Sequence, residues 1–170
     1  MISDYIRRTH KMLKLSKKAD YGLMALQYMA GLQHSDHTPS RIANTKEIAE
    51  EYRIPSELLA KVLQTLAKNG LVESHNGPKG GYLLARNARE ITIAQVLEAI
   101  EGPLGIMDCT HEVVEGVLCS QQEHCTIRTP LLRLQDSIYQ LLNNMTLEDI
   151  VGGAPLITVQ SLTTGQGVTR

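Results

Sequence analysis

The stretch from Pro55 to Ala85 constrains the fold more than any other, because its hydrophobic period changes within it. Over 55-PSELLAKVLQTLAKNG-70, Leu58, Leu59, Val62, Leu63 and Leu66 recur at the three- and four-residue steps of a helix with one buried stripe. Glu57, Lys61, Gln64 and Lys68 fall on the opposite face. Pro55 suits the N1 position, where no amide donor is needed, and Gly70 suits C′. Directly after it, 71-LVESHNGPKGGYLLA-85 holds two short β-like runs, LVES and GYLLA, around a Gly/Pro/Asn turn. Upstream, 45-TKEIAEEYRI-54 reads as a short helix capped by Asn44 or Thr45. Two short helices with a tight link, followed by a hairpin, are the parts of a winged helix-turn-helix.

The flanking chain fits around that unit. Ser16 is a good N-cap for a helix over 16-SKKADYGLMALQYMAGL-32, with Leu23, Leu26 and Ala30 on one face. The segment HSDHTPSRIAN is a polar loop, and Ile91–Ile100 is another short amphipathic helix. Thr129 and Pro130 suit the N-cap and N1 of a last long helix. There Leu131, Leu134, Ile138, Leu141 and Met145 form an a/d seam over two heptads. Packing on the chain's own core is the plain alternative to a dimer seam. The expected fold class is mainly α with a small β-hairpin, a winged helix-turn-helix plus a long C-terminal dimerisation helix. The expected divisions are an arm over 1–11, a DNA-binding domain over 12–101, a cysteine-containing cluster-binding loop over 102–128, the dimerisation helix and its end over 129–150, and a frayed tail over 151–170. The arm could also reflect a start codon placed too early, since Met12 would serve. No internal repeat is present.

Composition narrows the class. At 170 residues and 42% hydrophobic, the chain can bury one core, which excludes wholesale disorder. No run approaches the ~18 apolar residues a spanning helix needs. No apolar h-region follows the basic residues near Met1, so no secretory signal is expected. The net charge of −1 hides an asymmetry: residues 1–89 carry +6, and residues 90–170 carry −7. That pattern points to a polyanion partner for the first half.

In such a domain the second helix lies in the major groove, with its N-terminal side chains at the base edges. Here those are Ser56, Glu57 and Lys61, with Gln64 further along. Ser and Lys donate to bases or phosphates, and Glu accepts from cytosine N4. The wing tip offers Asn76 and Lys79 to phosphates or the minor groove. Each of these residues alone fits an ordinary solvated face; their placement beside a cationic wing in the basic half favours DNA contact. GPKGG lacks the full P-loop pattern and does not join a strand to a helix, so it is not a nucleotide loop.

Cys109, Cys119 and Cys125 give C-x9-C-x5-C, with no close CxxC pair of the kind zinc sites show. An odd number of cysteines without a signal implies a reducing cytoplasm and reactive or metal-binding thiols rather than a disulfide framework. Three thiolates in an irregular segment suit an iron–sulfur cluster, which usually takes four ligands. Asp108, His111, Glu123 and His124 are nearby candidates for the fourth, and another subunit could also supply it. Three cysteines that bind nothing remain the plain alternative. Gly102, Pro103, Gly105 and Gly116 disfavour unaided folding of this segment, so a bound metal would order it. His10, His34 and His37 read as solvated, and His75 as structural or phosphate-facing.

The chain resembles the small winged-helix iron–sulfur regulators that include IscR, NsrR and RirA. The matching pieces are 14-KLSKKADYGLMAL-26, 68-KNGLVESHNGPKGGYLLA-85, 91-ITIAQVLEAIEG-102, the three-cysteine segment and 146-TLEDI-150, which cover most of residues 14–150. VLQTLAKNGLVES is most similar to the subgroup that regulates the Suf system for cluster assembly. The resemblance implies a homodimer on a palindromic double-stranded DNA operator. It also implies a two-iron (2Fe-2S) or four-iron (4Fe-4S) cluster held by Cys109, Cys119 and Cys125. Two departures matter. The family spacing is nearer C-x5-C-x5-C. The histidine three residues after the last cysteine in IscR-like members is Arg128 here. NsrR-like members complete the site with an aspartate from the partner's first helix, which matches Asp20; a first-turn acid favoured by the helix dipole is its plain reading. The base-reading glutamate of IscR-like members aligns with Ala60, so the operator should differ.

The expected function is therefore a non-enzymatic, dimeric transcriptional regulator, a repressor sensing cluster status and controlling cluster-assembly genes. The alternatives are a metal-free thiol redox sensor and a nitric-oxide-responsive regulator. A redox enzyme or electron carrier would leave the winged-helix half without a role, and a structural zinc protein would be separated by metal analysis.

Overall fold

The computed structural model describes residues 15–33, 41–77, 80–106 and 124–152. Helix α1 spans Lys17–Gln33, α2 Thr45–Glu51 and α3 Ser56–Lys68, followed by strands β1, Val72–His75, and β2, Gly81–Leu84. A 3-10 turn over Ala88–Glu90 leads to α4, Ile93–Glu101. Then come α5, Arg128–Asn144, and α6, Leu147–Val151. This is the expected fold class: helices around a two-stranded antiparallel hairpin, with a long helix near the C-terminus.

Local chemistry explains the boundaries. Ser16 Oγ accepts from the Ala19 amide at 3.2 Å and opens α1. Asn44, rather than Thr45, caps α2, accepting from the Lys46 amide at 2.8 Å. Pro55 stands at the N-cap of α3 rather than at N1, one residue earlier than expected. Gly70 takes the C′ position with φ of +68°, a left-handed turn that costs glycine little. Helix α4 begins at Ile93, later than the expected Ile91, because the Thr92–Gln95 capping box fixes its start.

The core lies between α1, α3, β1, α4 and α6. Leu26, Ile48, Leu59, Leu63, Leu66, Leu71, Ile91 and Leu147 are among its fully buried side chains. Leu59, Val62, Leu63 and Leu66 form the buried stripe of α3 as the periodicity predicts. Leu58 does not: it is 43% exposed, whereas Leu59 beside it is fully buried, because one residue further back turns the side chain about 100° away, to the margin of the stripe.

The hairpin pairs Val72 with Leu84 and His75 with Gly81. It is tied to the entrance of α2, where Ala43 and Tyr82 exchange two backbone hydrogen bonds of 2.9 Å. Asn44 Nδ2 also donates to the Gly80 carbonyl at 3.2 Å.

The last long helix differs from expectation at both ends. It starts at Arg128 after Ile127, so Pro130 sits inside its first turn, where its missing donor costs nothing. It ends at Asn144, because Met145 is extended, and Thr146 caps a separate helix, α6. Thr92 and Thr146 form an isolated bridge beside this break. Leu142, Met145 and Ile150 pack against Ala19, Ile93 and Leu97.

Candidate nucleic-acid interface

Helix α3 is held by its apolar stripe, so its opposite face is free. Ser56, Glu57, Lys61 and Gln64 are all exposed there. Glu57, Lys61 and Gln64 follow each other at steps of four and three, which places them on one side of the helix. None of the three side chains takes part in an ion pair or side-chain hydrogen bond among the described residues. Asn76, at the end of β1, is exposed as well; Lys79 lies outside the described residues. The structure thus brings four of the six expected contacts onto α3 and a fifth onto the adjoining hairpin.

The hairpin's position relative to α3 follows from its anchor. A Cβ at Gly81 would lie 2.2 Å from the Ala43 carbonyl oxygen, so only glycine lets the strand approach the segment before α2 this closely. His75 is exposed, with Nε2 at 4.0 Å from a Glu73 carboxylate oxygen.

Sequence reasoning did not single out the network behind α2. The Tyr28 hydroxyl donates to Glu47 Oε1 at 2.6 Å, and the Arg41 guanidinium pairs with the same carboxylate. Tyr28 packs edge-on against Tyr52, with ring centroids 6.2 Å apart. Burial and the Glu47 carboxylate push the Tyr28 phenol up to about 12. Arg53, exposed in the turn between α2 and α3, has φ of +53°, unusual for a residue with a side chain. It shares an open cleft with Lys46 and Asn44, the last of which was read only as a cap. No local pattern in the sequence marks a left-handed arginine.

Of the expected cluster ligands, Cys109 and Cys119 lie outside the described residues, as do Asp108, His111 and Glu123. Cys125 is a half-buried free thiol. Asp20, in the first turn of α1, has Oδ2 3.1 Å from Lys17 Nζ, and its side chain is 34% exposed. No three His, Cys, Asp or Glu side chains converge among the described residues. The donor chemistry still suits a thiolate-bound group: one thiol is free, and a half-buried arginine follows it. Arg128 Nε, three residues beyond Cys125, is a buried atom with no hydrogen-bond partner among the described residues.

The comparisons with known proteins agree with this geometry. The Rrf2 family, described as an iron-dependent transcriptional regulator, matches residues 15–153. The HTH-type transcriptional regulator IscR of Pectobacterium atrosepticum is 32% identical over 147 residues, which cover 86% of this chain and 84% of that protein. Among solved structures, CymR, the global cysteine regulator of B. subtilis, aligns with a TM-score of 0.62 at 27% identity. That alignment covers 85% of this chain and all of CymR. IscR of T. potens aligns with a TM-score of 0.57 at 27% identity, over 91% of this chain and 94% of that one. These relatives are transcriptional regulators, not enzymes. No helix among the described residues is long and apolar enough to cross a membrane.

Proposed function

The chain belongs to the Rrf2 family of DNA-binding transcriptional regulators, and from that premise we propose a cytoplasmic homodimeric repressor that senses iron–sulfur cluster status and controls cluster-assembly genes. The observation that carries the cluster reading is Nε of the half-buried Arg128, a buried donor just after the cysteine segment with no partner among the described residues. An orphaned buried donor costs about 1–3 kcal/mol, more when charged, and an anionic thiolate-bound group beside it would offset that cost. Cys109, Cys119 and Cys125 would supply the thiolates, and Asp20 of the partner subunit the fourth ligand. When bound, the cluster supplies a labile centre whose loss biases the protein between two operator affinities.

On the DNA side, Ser56, Glu57, Lys61 and Gln64 would face base edges in the major groove, and Asn76 and Lys79 the flanking phosphates. The exposed, unpaired face of α3 in the basic half of the chain supports this assignment.

The test is purification without oxygen, with absorbance, iron, sulfide and zinc measured on one sample. A brown protein with iron and acid-labile sulfide is expected, and Cys119→Ala should remove the chromophore. A protein that stays colourless after attempted reconstitution overturns the cluster reading.

The likeness to CymR favours a second reading, a metal-free sensor reacting through its thiols. That protein would be colourless, and peroxide would alter its DNA binding until a thiol restored it.

A further inference from the structure

Between the exposed polar face of α3 and the core lies a notch that borrows Lys61 from the first and Val62 from the second. Lys18, Leu58, Lys61, Val62, Thr65 and Ile100 enclose a cavity of about 120 Å³ where the start of α1, the middle of α3 and the end of α4 meet. Its floor is apolar: Val62 is buried, Ile100 is partly buried, and Leu58 lies 43% exposed along one side. A large aliphatic side chain left in water at a cavity mouth gains by contact with an apolar ligand. The rim is cationic, and neither Lys18 nor Lys61 has a carboxylate partner among the described residues. The helices around the notch are tightly fitted. A Cβ at Gly22 would lie 2.4 Å from Ile100 Cδ1 and 3.4 Å from Val62 Cγ1, so α1 already presses on both floor residues. The cavity is therefore formed in advance rather than opened by separating the helices.

We propose that this notch binds a small amphiphilic anion, a carboxylate on an apolar chain of about four or five carbons. An apolar cavity of about 150 Å³ holds benzene, so this smaller one limits the apolar part to a chain shorter than six carbons. That part lies on Leu58, Val62 and Ile100, while the carboxylate takes the ammonium groups of Lys18 and Lys61. The regulatory consequence rests on the reading of α3 as the groove helix. Lys61 Nζ cannot serve a bound carboxylate and the DNA at once, so the anion weakens operator binding. By linkage, the operator weakens anion binding by the same factor.

Binding and coupling are tested separately on the full chain. The first probe is hexanoate, titrated while the methyl signals of Leu58, Val62 and Ile100 are followed by NMR in the absence of DNA. Saturable shifts confined to those methyls are expected, with hexanamide, the uncharged isostere, at least about tenfold weaker. Leu58→Asp should abolish the shifts at Val62 and Ile100; a melting curve checks its fold, and Lys18→Gln, at an exposed position, gives a second variant expected to weaken binding. Absence of saturable shifts, or equal binding of hexanamide, overturns the proposal. Operator affinity is then measured by fluorescence anisotropy. Saturating hexanoate should raise the operator Kd about fivefold or more. Hexanoate that binds without changing operator affinity overturns the regulatory half. A protein that fails to bind operator even without hexanoate would instead count against the groove-helix reading and leave the notch standing.

Discussion

Two glycines show how the identity of the neighbouring atom sets the cost of a methyl group. At Gly81 a Cβ meets the Ala43 carbonyl oxygen at 2.2 Å, a backbone atom held by the bridge to Tyr82. At Gly22 it meets the terminal methyl of Ile100 at 2.4 Å, which can rotate away. Gly81→Ala should therefore cost about 3 kcal/mol, the upper end for overpacking, and lower Tm by about 6 °C or more. Gly22→Ala should cost far less, because relief of about 1 kcal/mol of helix propensity offsets part of the strain. Thermal melts of the two variants check the ranking.

Tyr28 makes a residue-scale prediction about pH. Its phenol is pushed up to about 12 in the folded chain, against an ordinary value near 10. The folded state therefore keeps a proton that the unfolded chain releases. The resulting stability is intact below pH ~10 and is lost as pH rises toward ~12. Tyr28→Phe should cost about 1 kcal/mol at neutral pH through the lost bond to Glu47, and this deficit should shrink across that alkaline window. Denaturant titrations of both proteins from neutral to strongly alkaline pH measure it. Tyr52, also pushed up by burial, gives both proteins a common background slope.

At the scale of elements, the helical period sorted α3 into a buried stripe and an exposed polar face, so the candidate DNA contacts could be read before the fold was known. The hairpin was legible for the same reason, since its turn residues and its change of period are local. The misplaced features are non-local. Leu58 satisfies the apolar spacing, yet it stands at the margin of the stripe, and only its neighbour Leu59 is fully covered by the other helices. The break at Met145 depends on hydrogen bonds from Ile93 to Met145 and from Leu147 to Ile91, across more than fifty residues of chain. One local signal for that break was present: Thr146-x-x-Asp149 is a capping box, and it forms. The Asp149 carboxylate accepts from both the Thr146 amide and hydroxyl at 2.7 Å, and these bonds hold it below the usual carboxylate range. Thr146→Ala should cost about 1 kcal/mol near neutral pH. That stability is present above the ordinary carboxylate value near 3.9 and is lost as pH falls through the lower folded value, so the two proteins should converge in acid. Acid titration of ellipticity distinguishes this from a pH-independent packing loss.

At the scale of the molecule, α5 poses the question of what covers it. None of its residues is buried, and Leu134 and Leu141 are 50% and 42% exposed. The five-residue seam read from the sequence splits in space. Met145 turns toward the chain's own core with Leu142, whereas Leu134 and Leu141 are exposed and Leu131 and Ile138 only partly covered. A seam that served only intrachain packing would be covered by this one chain, and among the described residues Leu134 and Leu141 are not. Symmetric pairing of two copies through α5 would bury it and place two α3 helices on one operator, with half-sites one helical turn, about 34–36 Å, apart. Leu134→Asp should then yield a folded monomer, because a half-exposed side chain contributes little to the chain's own core. Leu142→Asp should lower Tm instead, since Leu142 packs on Ala19, Ile93 and Leu97. The monomer retains one reading helix per molecule and loses the effective concentration of the second, so its operator affinity should fall by about a hundredfold or more. Sedimentation velocity together with anisotropy on the operator tests both halves. A Leu134→Asp protein that still sediments as a dimer would exclude α5 as the seam, whatever its affinity for DNA.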